Sequence, residues 1–226
     1  IAQDTSRYGV DLYGERRLPE LLRALCRIDG FHWIRVHYLY PDEMDEALID
    51  VIAEEEKICS YLDIPIQHCN DAILRRMNRR GNKEYLDWLL PHLRERIPGL
   101  VLRTSLIAGL PGETDEMFRE TYHFLKERIH PAFLHVFHYS RRPGTRAAVM
   151  PDQVRDSVKT ERVAELDKLC GELHEEFARK HRGMKETVLW ESARKDGKMG
   201  GYTGNYIRVE RPWDPERAGK LEEIEI

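Results

Sequence analysis

Strand-like and helix-like segments alternate along residues 31–139, and this alternation limits the possible folds more than any other feature of the sequence. Strands that alternate with helices form a parallel sheet with helical crossovers, so the predicted fold class is α/β. Five strands in one series predict a barrel or part of one. The strand-like segments are IAQD (1–4), FHWIRVHY (31–38), YLDIPI (61–66), LVLRTSLI (100–107) and AFLHVFHY (132–139).

Helix signals lie between these segments. The leucines of LPELLRALCRI follow a helical stripe, and further helices are predicted at about 45–57 and 83–96. Asn70 and Thr114 each precede a helical pattern. They are predicted N-caps, because short polar side chains accept hydrogen bonds from the free amides at a helix start.

The pattern changes after Pro151. Residues 152–183 predict one long, highly charged helix, in which an apolar stripe packs on the preceding domain. From Met184 onward, short strands are separated by Gly and Asn turns, which predicts a small β-domain. The predicted division is therefore a partial βα barrel over 1–150, a connecting helix over 151–183 and a β-domain over 184–226.

Charge and cysteine content exclude several classes of protein. The net charge of −4 and the pI near 6.2 give no overall attraction for nucleic acid, so such contacts need a local patch. The four cysteines show no metal-knuckle spacing, and they are expected to be reduced thiols of a cytoplasmic protein. No apolar run approaches the roughly 18 residues of a membrane span, and no signal peptide is recognised, so no membrane contact is expected.

The strand-like segments carry polar residues on one face. In YLDIPIQH, period-two alternation places Asp63 and Gln67 opposite the aliphatic face, and it places Arg103 with Ser105 in the next segment. An unpaired buried polar group costs about 1–3 kcal/mol, whereas a whole domain is stable by about 5–15 kcal/mol. Several such groups predict a polar cavity at the C-terminal ends of the strands, where βα folds hold ligands. For each residue taken singly, mutual pairing within the core is the alternative.

Two loops near that edge are candidate binding elements. In IAGLPGET, Gly109 and Gly112 build a tight turn whose amides can donate hydrogen bonds to anionic or polar ligand atoms, although a purely structural turn is the alternative. It lacks the Gly-Lys-Ser/Thr of a Walker loop and the spacing of a dinucleotide loop. Arg141 and Arg142 follow the last strand and either reach the cavity mouth or form a solvated turn. No histidine metal site is predicted, because the strand histidines point to opposite sides.

Five segments in this order resemble the radical S-adenosylmethionine methylthiotransferase family. The resemblance covers nearly the whole chain and implies a partial radical-SAM barrel followed by a TRAM-like β-domain that binds substrate. It also implies a [4Fe-4S] cluster held by a C-x3-C-x2-C motif that lies upstream of Ile1, so the 226 residues alone are expected to be inactive. The segments are IAQDTSRYGVDLYG, WIRVHYLYPD, YLDIPIQHCNDAILRRMNR, LRTSLIAGLPGETDEMF and VFHYSRRPGTRAA.

The resemblance implies where S-adenosylmethionine would bind. Arg103 is the expected partner of the methionyl carboxylate, because its guanidinium fork matches a carboxylate. Gln67, His68 and Ser105 are expected to hydrogen-bond ribose or amino groups. Gly109 is expected to let the backbone approach adenine, and Tyr139 ends the strand at this wall. The implied reaction is reductive cleavage to a 5′-deoxyadenosyl radical, hydrogen abstraction and delivery of a methylthio group.

The two halves of the chain resemble different branches of this family. The first half resembles the branch that modifies an aspartate of small-subunit ribosomal protein twelve, and the second resembles the branch that modifies N6-threonylcarbamoyladenosine in tRNA. Residues 184–226 contain nine acidic and eight basic residues, so charge does not choose between the branches. The barrel strands favour the ribosomal-protein branch. A basic face for tRNA would use Lys185, Arg194, Lys195, Lys198 and Arg208 with Tyr202 and Tyr206.

Two other classes of function are alternatives. One is a βα-barrel enzyme that uses Asp63, His68 or Arg35 for acid–base chemistry on a phosphorylated metabolite, with GLPGE as its anion loop. The other is a non-catalytic module that binds RNA or the ribosome through the TRAM-like tail, which would make binding sensitive to salt.

Overall fold

The first sheet is parallel throughout. In a computed structural model that describes residues 4–226, with the side chains of 193 and 194 left out, four strands lie in the order β1-β2-β3-β4. Each pair is parallel, which confirms the predicted α/β class. The strands are β1 Ile34–Val36, β2 Ile58–Asp63, β3 Val101–Ala108 and β4 Phe133–His138. The predicted strand IAQD falls mostly on residues 1–3, outside the described residues, and Asp4 is not in a strand.

Helices connect these strands and cover one face of the sheet. Asn70 accepts hydrogen bonds from the amides of Ala72 and Ile73, and Thr114 from that of Met117, so both predicted N-caps are confirmed. The helix predicted at 45–57 ends earlier, because the backbone becomes extended at Glu55 on its way into β2. The helices are α1 Val10–Tyr13, α2 Leu18–Cys26, α3 Glu46–Glu54, α4 Asp71–Arg76, α5 Lys83–Arg96 and α6 Asp115–Phe124, the last extended by a π-helical turn at Leu125–Ile129.

The core lies between this helical layer and the aliphatic face of the sheet. Leu62, Leu102, Leu106 and Leu134 from β2, β3 and β4 are nearly or completely buried there. The period-two pattern therefore identified the packed face correctly, and it leaves the alternate residues of the same strands on the opposite face.

A long helix and a second sheet follow. Helix α7 spans Asp156–Lys180 and buries Leu166, Leu169 and Leu173 against the first sheet, as the apolar stripe predicts. The second sheet is antiparallel, with the order β7-β6-β5-β8 and a core of Val188, Trp190 and Met199. Its strands are β5 Lys185–Lys195, β6 Lys198–Thr203, β7 Arg208–Pro212 and β8 Leu221–Glu225. Among the described residues, no helix is both long enough and apolar enough to cross a membrane.

Candidate functional site

The face of the parallel sheet opposite the helices carries polar and aromatic side chains; we call it the open face. It is defined by Arg35, Tyr61, Asp63, Arg103, Ser105, Phe133, His135 and Phe137. Register places these residues together, because Asp63 pairs with Arg103, and Ser105 with His135. Phe137 is 53% exposed and His135 is also exposed. The side chains thus converge on one face as predicted, but on a face that opens to solvent near the ends of β3 and β4.

A buried ion pair lies at the centre of the open face. Arg103 Nη1 donates to Asp63 Oδ2 at 2.8 Å, and the His37 ring lies 3.7 Å from the same oxygen. Asp63 is 1% exposed and its second oxygen, Oδ1, is buried without a partner among the described residues. Burial and the nearby Arg103 lower the pKa of His135, so this imidazole is neutral near pH 7. The site therefore offers one oriented cation with a neutral imidazole beside it.

Ser105 follows Arg103 on the same face of β3, and Gln67 lies beside Ser105. Gln67 donates its amide to the carbonyl of Ser105 at 2.8 Å, and the Gln67 carbonyl accepts from the amide of Ile107 at 3.0 Å. The strand β2 ends at Asp63, however, and Gln67 has a positive φ of 67°. The predicted alternation from Asp63 to Gln67 is therefore interrupted, although Gln67 still borders Ser105.

His68 lies away from the open face. Its Nδ1 accepts from the Asn70 amide at 2.9 Å and lies 3.2 Å from Thr121 Oγ1 of helix α6, and the residue is 2% exposed. Burial lowers its pKa to about 4, which keeps the ring neutral. The structure thus places His68 beneath the helical layer, apart from Arg103 and Ser105, and this corrects the expectation that it faces a ligand with them.

The amides of the GLPGE loop bind an internal anion. Glu113 Oε2 accepts from the amides of Gly109 and Leu110 at 2.7 and 3.1 Å, and Glu113 Oε1 accepts from Arg162 Nη1 of α7 at 2.9 Å. Burial raises the pKa of Glu113, whereas Arg162 and the two amides oppose that shift. The expectation that these two amides receive an anionic ligand is therefore wrong, because the carboxylate of the same loop occupies them.

Gly109 and Tyr139 both lie against Lys159 of α7. A Cβ added at Gly109 would lie 2.3 Å from Lys159 Cγ, so the space beside this glycine is filled by that side chain. The Lys159 ammonium lies 5.4 Å from the centre of the Tyr139 ring. The close approach that Gly109 permits is thus with α7, and no local sequence pattern predicts a contact over that distance along the chain.

The arginines after β4 take different positions. Arg141 Nε donates to the carbonyl of Ala148 at 2.7 Å, which folds the segment back on itself, and Arg142 is exposed. Arg141 is therefore part of a closed turn, which agrees with the structural alternative.

The cysteines do not form a cluster site. Cys26, Cys59 and Cys69 are buried, and Cys170 donates to the carbonyl of Leu134. Burial raises the pKa of Cys69 to about 12, so it is a neutral thiol rather than the thiolate that iron requires. Within residues 4–226, no three His, Cys, Asp or Glu side chains are grouped to hold a metal. The side chains described here do not fit an iron–sulfur cluster.

Acid–base catalysis by Asp63, His68 or Arg35 finds no support in the geometry. His68 lies under the helices, and Arg35 donates to carbonyls of the second sheet. Asp63, in turn, is 1% exposed and paired with Arg103.

A parallel sheet with connecting helices on one face and polar side chains on the other is the arrangement of a segment of a βα barrel. The Radical SAM superfamily model matches residues 8–125, just over half of the chain, and the chain belongs to this superfamily. The fold is shared with a solved structure of coproporphyrinogen III oxidase from Escherichia coli, a radical SAM enzyme, at a TM-score of 0.55 and 26% identity over 70% of this chain and 36% of that one.

Curated relatives match the chain at higher identity. The chain is 54% identical over 166 residues to the ribosomal protein uS12 methylthiotransferase RimO of Lachnoclostridium phytofermentans, which covers 74% of this chain and 38% of the relative. It is 42% identical over 197 residues to the protein of the same name from Alkaliphilus oremlandii, which covers 87% and 45%. These matches confirm the resemblance to the methylthiotransferase family. The chain spans less than half the length of the relatives it matches.

Proposed function

We propose that these 226 residues are part of a radical S-adenosylmethionine methylthiotransferase that modifies ribosomal protein uS12. The observation that carries the proposal is the 54% sequence identity, over most of this chain, to a ribosomal protein uS12 methylthiotransferase. The open face supports it, because it presents an oriented guanidinium and a serine hydroxyl on adjacent positions of one strand face.

Arg103 is the residue that would hold the methionyl carboxylate of S-adenosylmethionine. Its Nη1 is engaged by Asp63, which fixes the plane of the guanidinium and leaves Nη2 and Nε without a side-chain partner among the described residues. A planar fork held on one side can still bind a second carboxylate on the other. Ser105 and Gln67 would hydrogen-bond the polar atoms of the same ligand, and Tyr139 would border it. When bound, S-adenosylmethionine supplies the radical and the methyl group of the reaction.

The cluster that cleaves this cofactor would be held by residues other than those described. The four cysteines here are separate, and burial makes the most enclosed of them, Cys69, a poor metal ligand. The proposal therefore assigns cofactor binding and substrate positioning to this chain and assigns the cluster ligands to sequence outside it. The proposed parts are a partial βα barrel over 1–150, a connecting helix over 151–183 and a β-domain over 184–226, which would contact the ribosomal protein. The proposed location is the cytoplasm, because ribosomal proteins are found there.

The test uses a full-length protein that contains this chain. After anaerobic reconstitution with iron and sulfide, the protein is incubated with uS12, S-adenosylmethionine and a reductant, and uS12 is analysed by mass spectrometry. The expected result is a methylthio group on one aspartate of uS12. A parallel reaction receives tRNA that carries N6-threonylcarbamoyladenosine. Modification of the tRNA with none of uS12 would overturn the substrate assignment but keep the chemistry, and modification of neither would overturn both.

An Arg103→Lys variant tests the binding site within the same protein. Lysine keeps the charge but cannot bridge Asp63 and a second carboxylate with one rigid plane. We expect S-adenosylmethionine affinity to fall about tenfold or more, a loss of about 1.4 kcal/mol. Binding is measured by equilibrium dialysis with labelled S-adenosylmethionine, and an unchanged affinity would remove Arg103 from the proposed site.

A further inference from the structure

The turn between β6 and β7 lies on the open face of the parallel sheet. Arg35 of β1 donates through Nη2 to the carbonyls of Thr203 and Gly204 at 3.1 and 3.0 Å. Its guanidinium also lies over the rings of Tyr206 and Tyr61, at 4.7 and 5.4 Å from their centres. One arginine thus joins two elements that are separated by 168 residues in the chain.

The aromatic residues beside Arg35 extend this contact toward the ion pair. The Tyr206 ring centre lies 5.3 Å from that of Tyr61 and 5.8 Å from that of Phe133. Tyr61 is two residues before Asp63 on the same strand, and Phe133 pairs with Arg103 in the sheet. The turn therefore lies next to the Asp63–Arg103 pair, on the side toward the strand starts.

The turn itself is held in one conformation. Thr203 is fully buried, and its hydroxyl accepts from the amide of Ile207 at 2.8 Å. Asn205 hydrogen-bonds Thr203 and donates to Glu186 of β5 at 3.1 Å. Tyr206 has a positive φ of 71°, which a bulky residue adopts only where its surroundings enforce it. A strained aromatic residue on a built turn is the arrangement expected where position is functionally important.

We propose that Arg35 and Tyr206 are positioning residues that fix the second sheet at the base of the open face. A substrate bound by the second sheet is then held at a set distance from the cofactor bound above the Asp63–Arg103 pair. Arg35 acts through the carbonyls of the turn and not on the reacting atoms. The enzymatic part of this inference rests on the proposed function, whereas the contact itself does not.

The test compares two arginine-to-methionine variants in the full-length protein. Arg35→Met keeps the length and the apolar stem of the side chain but removes both hydrogen bonds to the turn. Arg128→Met is the matched control, because Arg128 is an exposed residue whose side-chain partner is Asp87, away from the interface.

The first measurement is hydrogen–deuterium exchange and does not require activity. In Arg35→Met we expect peptides covering 203–207 to exchange at least tenfold faster, while peptides covering 101–108 stay protected. Exchange at 203–207 that is the same in Arg35→Met and Arg128→Met would overturn the proposal, because the turn would then be held without the arginine.

The second measurement separates positioning from general loss of structure. In Arg35→Met we expect methylthiolation of uS12 to fall at least tenfold in kcat, while reductive cleavage of S-adenosylmethionine without uS12 stays near the wild-type rate. An equal fall in both activities would indicate a structural role alone and overturn the proposal, and so would unchanged methylthiolation in a variant with fast exchange. If the wild-type protein does not modify uS12, the proposed function fails, and the exchange measurement still decides whether Arg35 holds the turn.

Discussion

Arg103 and Asp63 form an ion pair across neighbouring parallel strands, with Nη1 and Oδ2 2.8 Å apart and the carboxylate 1% exposed. The arginine side chain is 20% exposed, so solvent reaches it from the open face while its partner is enclosed. The pair is therefore asymmetric: removing the arginine leaves a charge in the interior, whereas removing the carboxylate leaves a cation that water can reach.

This asymmetry predicts unequal effects of the two single substitutions. Arg103→Met is expected to lower the free energy of unfolding by about 3 kcal/mol, because it leaves Asp63 buried without a counter-ion. Asp63→Asn is expected to cost about 1–2 kcal/mol, because the amide can still accept from the exposed arginine. Urea denaturation of the chain measures both. Equal losses, or a smaller loss for Arg103→Met, would contradict this account of the pair.

The double variant checks the same argument. In the double variant both charges are gone and none is left uncompensated, so its loss of stability should be smaller than the sum of the two single losses by about 1–2 kcal/mol. Strict additivity would mean that the two groups do not interact.

Glu113 is expected to be more important for stability than its exposed neighbour. Glu113→Gln removes the charge that pairs with Arg162 and accepts from the Gly109 and Leu110 amides, all in the interior. Breaking such a buried arrangement from one side costs about 3–5 kcal/mol. Asp115→Asn is the matched control, because Asp115 bonds the same arginine at 2.6 Å but is 84% exposed, and we expect at most about 1 kcal/mol.

The comparison is made by chemical denaturation of the two variants side by side. Similar losses for Glu113→Gln and Asp115→Asn would show that the loop amides do not depend on the internal carboxylate. That result would reopen the GLPGE loop as a binding site for an external anion.

Gly109 is expected to tolerate no side chain. It has a φ of +80°, and a Cβ there would meet the stem of Lys159 at 2.3 Å. Backbone strain costs about 1–2 kcal/mol and overpacking about 1–3 kcal/mol, so Gly109→Ala should lose about 3 kcal/mol. Gly99→Ala has a similar φ of +69° with no heavy atom within 4 Å, and it should show the backbone cost alone. Thermal unfolding that ranks the two alanine variants equally would contradict the packing of α7 on this turn.

Local signals were sufficient for much of the fold. The caps at Asn70 and Thr114 were predictable because a cap and its amides lie within three residues of each other. The open face was predictable because strand alternation is a property of the backbone. The predicted alternation does not extend beyond Pro65, because Gln67 adopts a positive φ.

The contacts that define the site were not predictable in this way. Arg162 reaches Glu113 across 49 residues, and Arg35 reaches the turn after β6 across 168. No periodicity in the sequence links such partners, because these contacts form only when α7 and the second sheet pack against the first sheet. For the same reason the sequence does not predict that His68, which follows a strand-like segment, contacts Thr121 of helix α6.

His68 predicts a specific dependence of stability on pH. Burial lowers its pKa to about 4 from the usual 6.5, so the unfolded chain binds more protons than the folded one between these values. Its contribution is fully present above about pH 6.5 and is lost as the pH falls toward 4, at up to about 1.4 kcal/mol per pH unit.

Glu113, whose pKa burial raises, contributes with the opposite sign, so the wild-type slope alone is not diagnostic. The difference in unfolding free energy between the wild type and His68→Gln, measured by urea denaturation from pH 7 to pH 4.5, reports the histidine together with any change at Glu113, whose Oε2 lies 3.9 Å from His68 Nε2. We expect the wild type to lose its advantage over His68→Gln as the pH falls, and an advantage that is independent of pH would mean that the ring is not enclosed beneath α6.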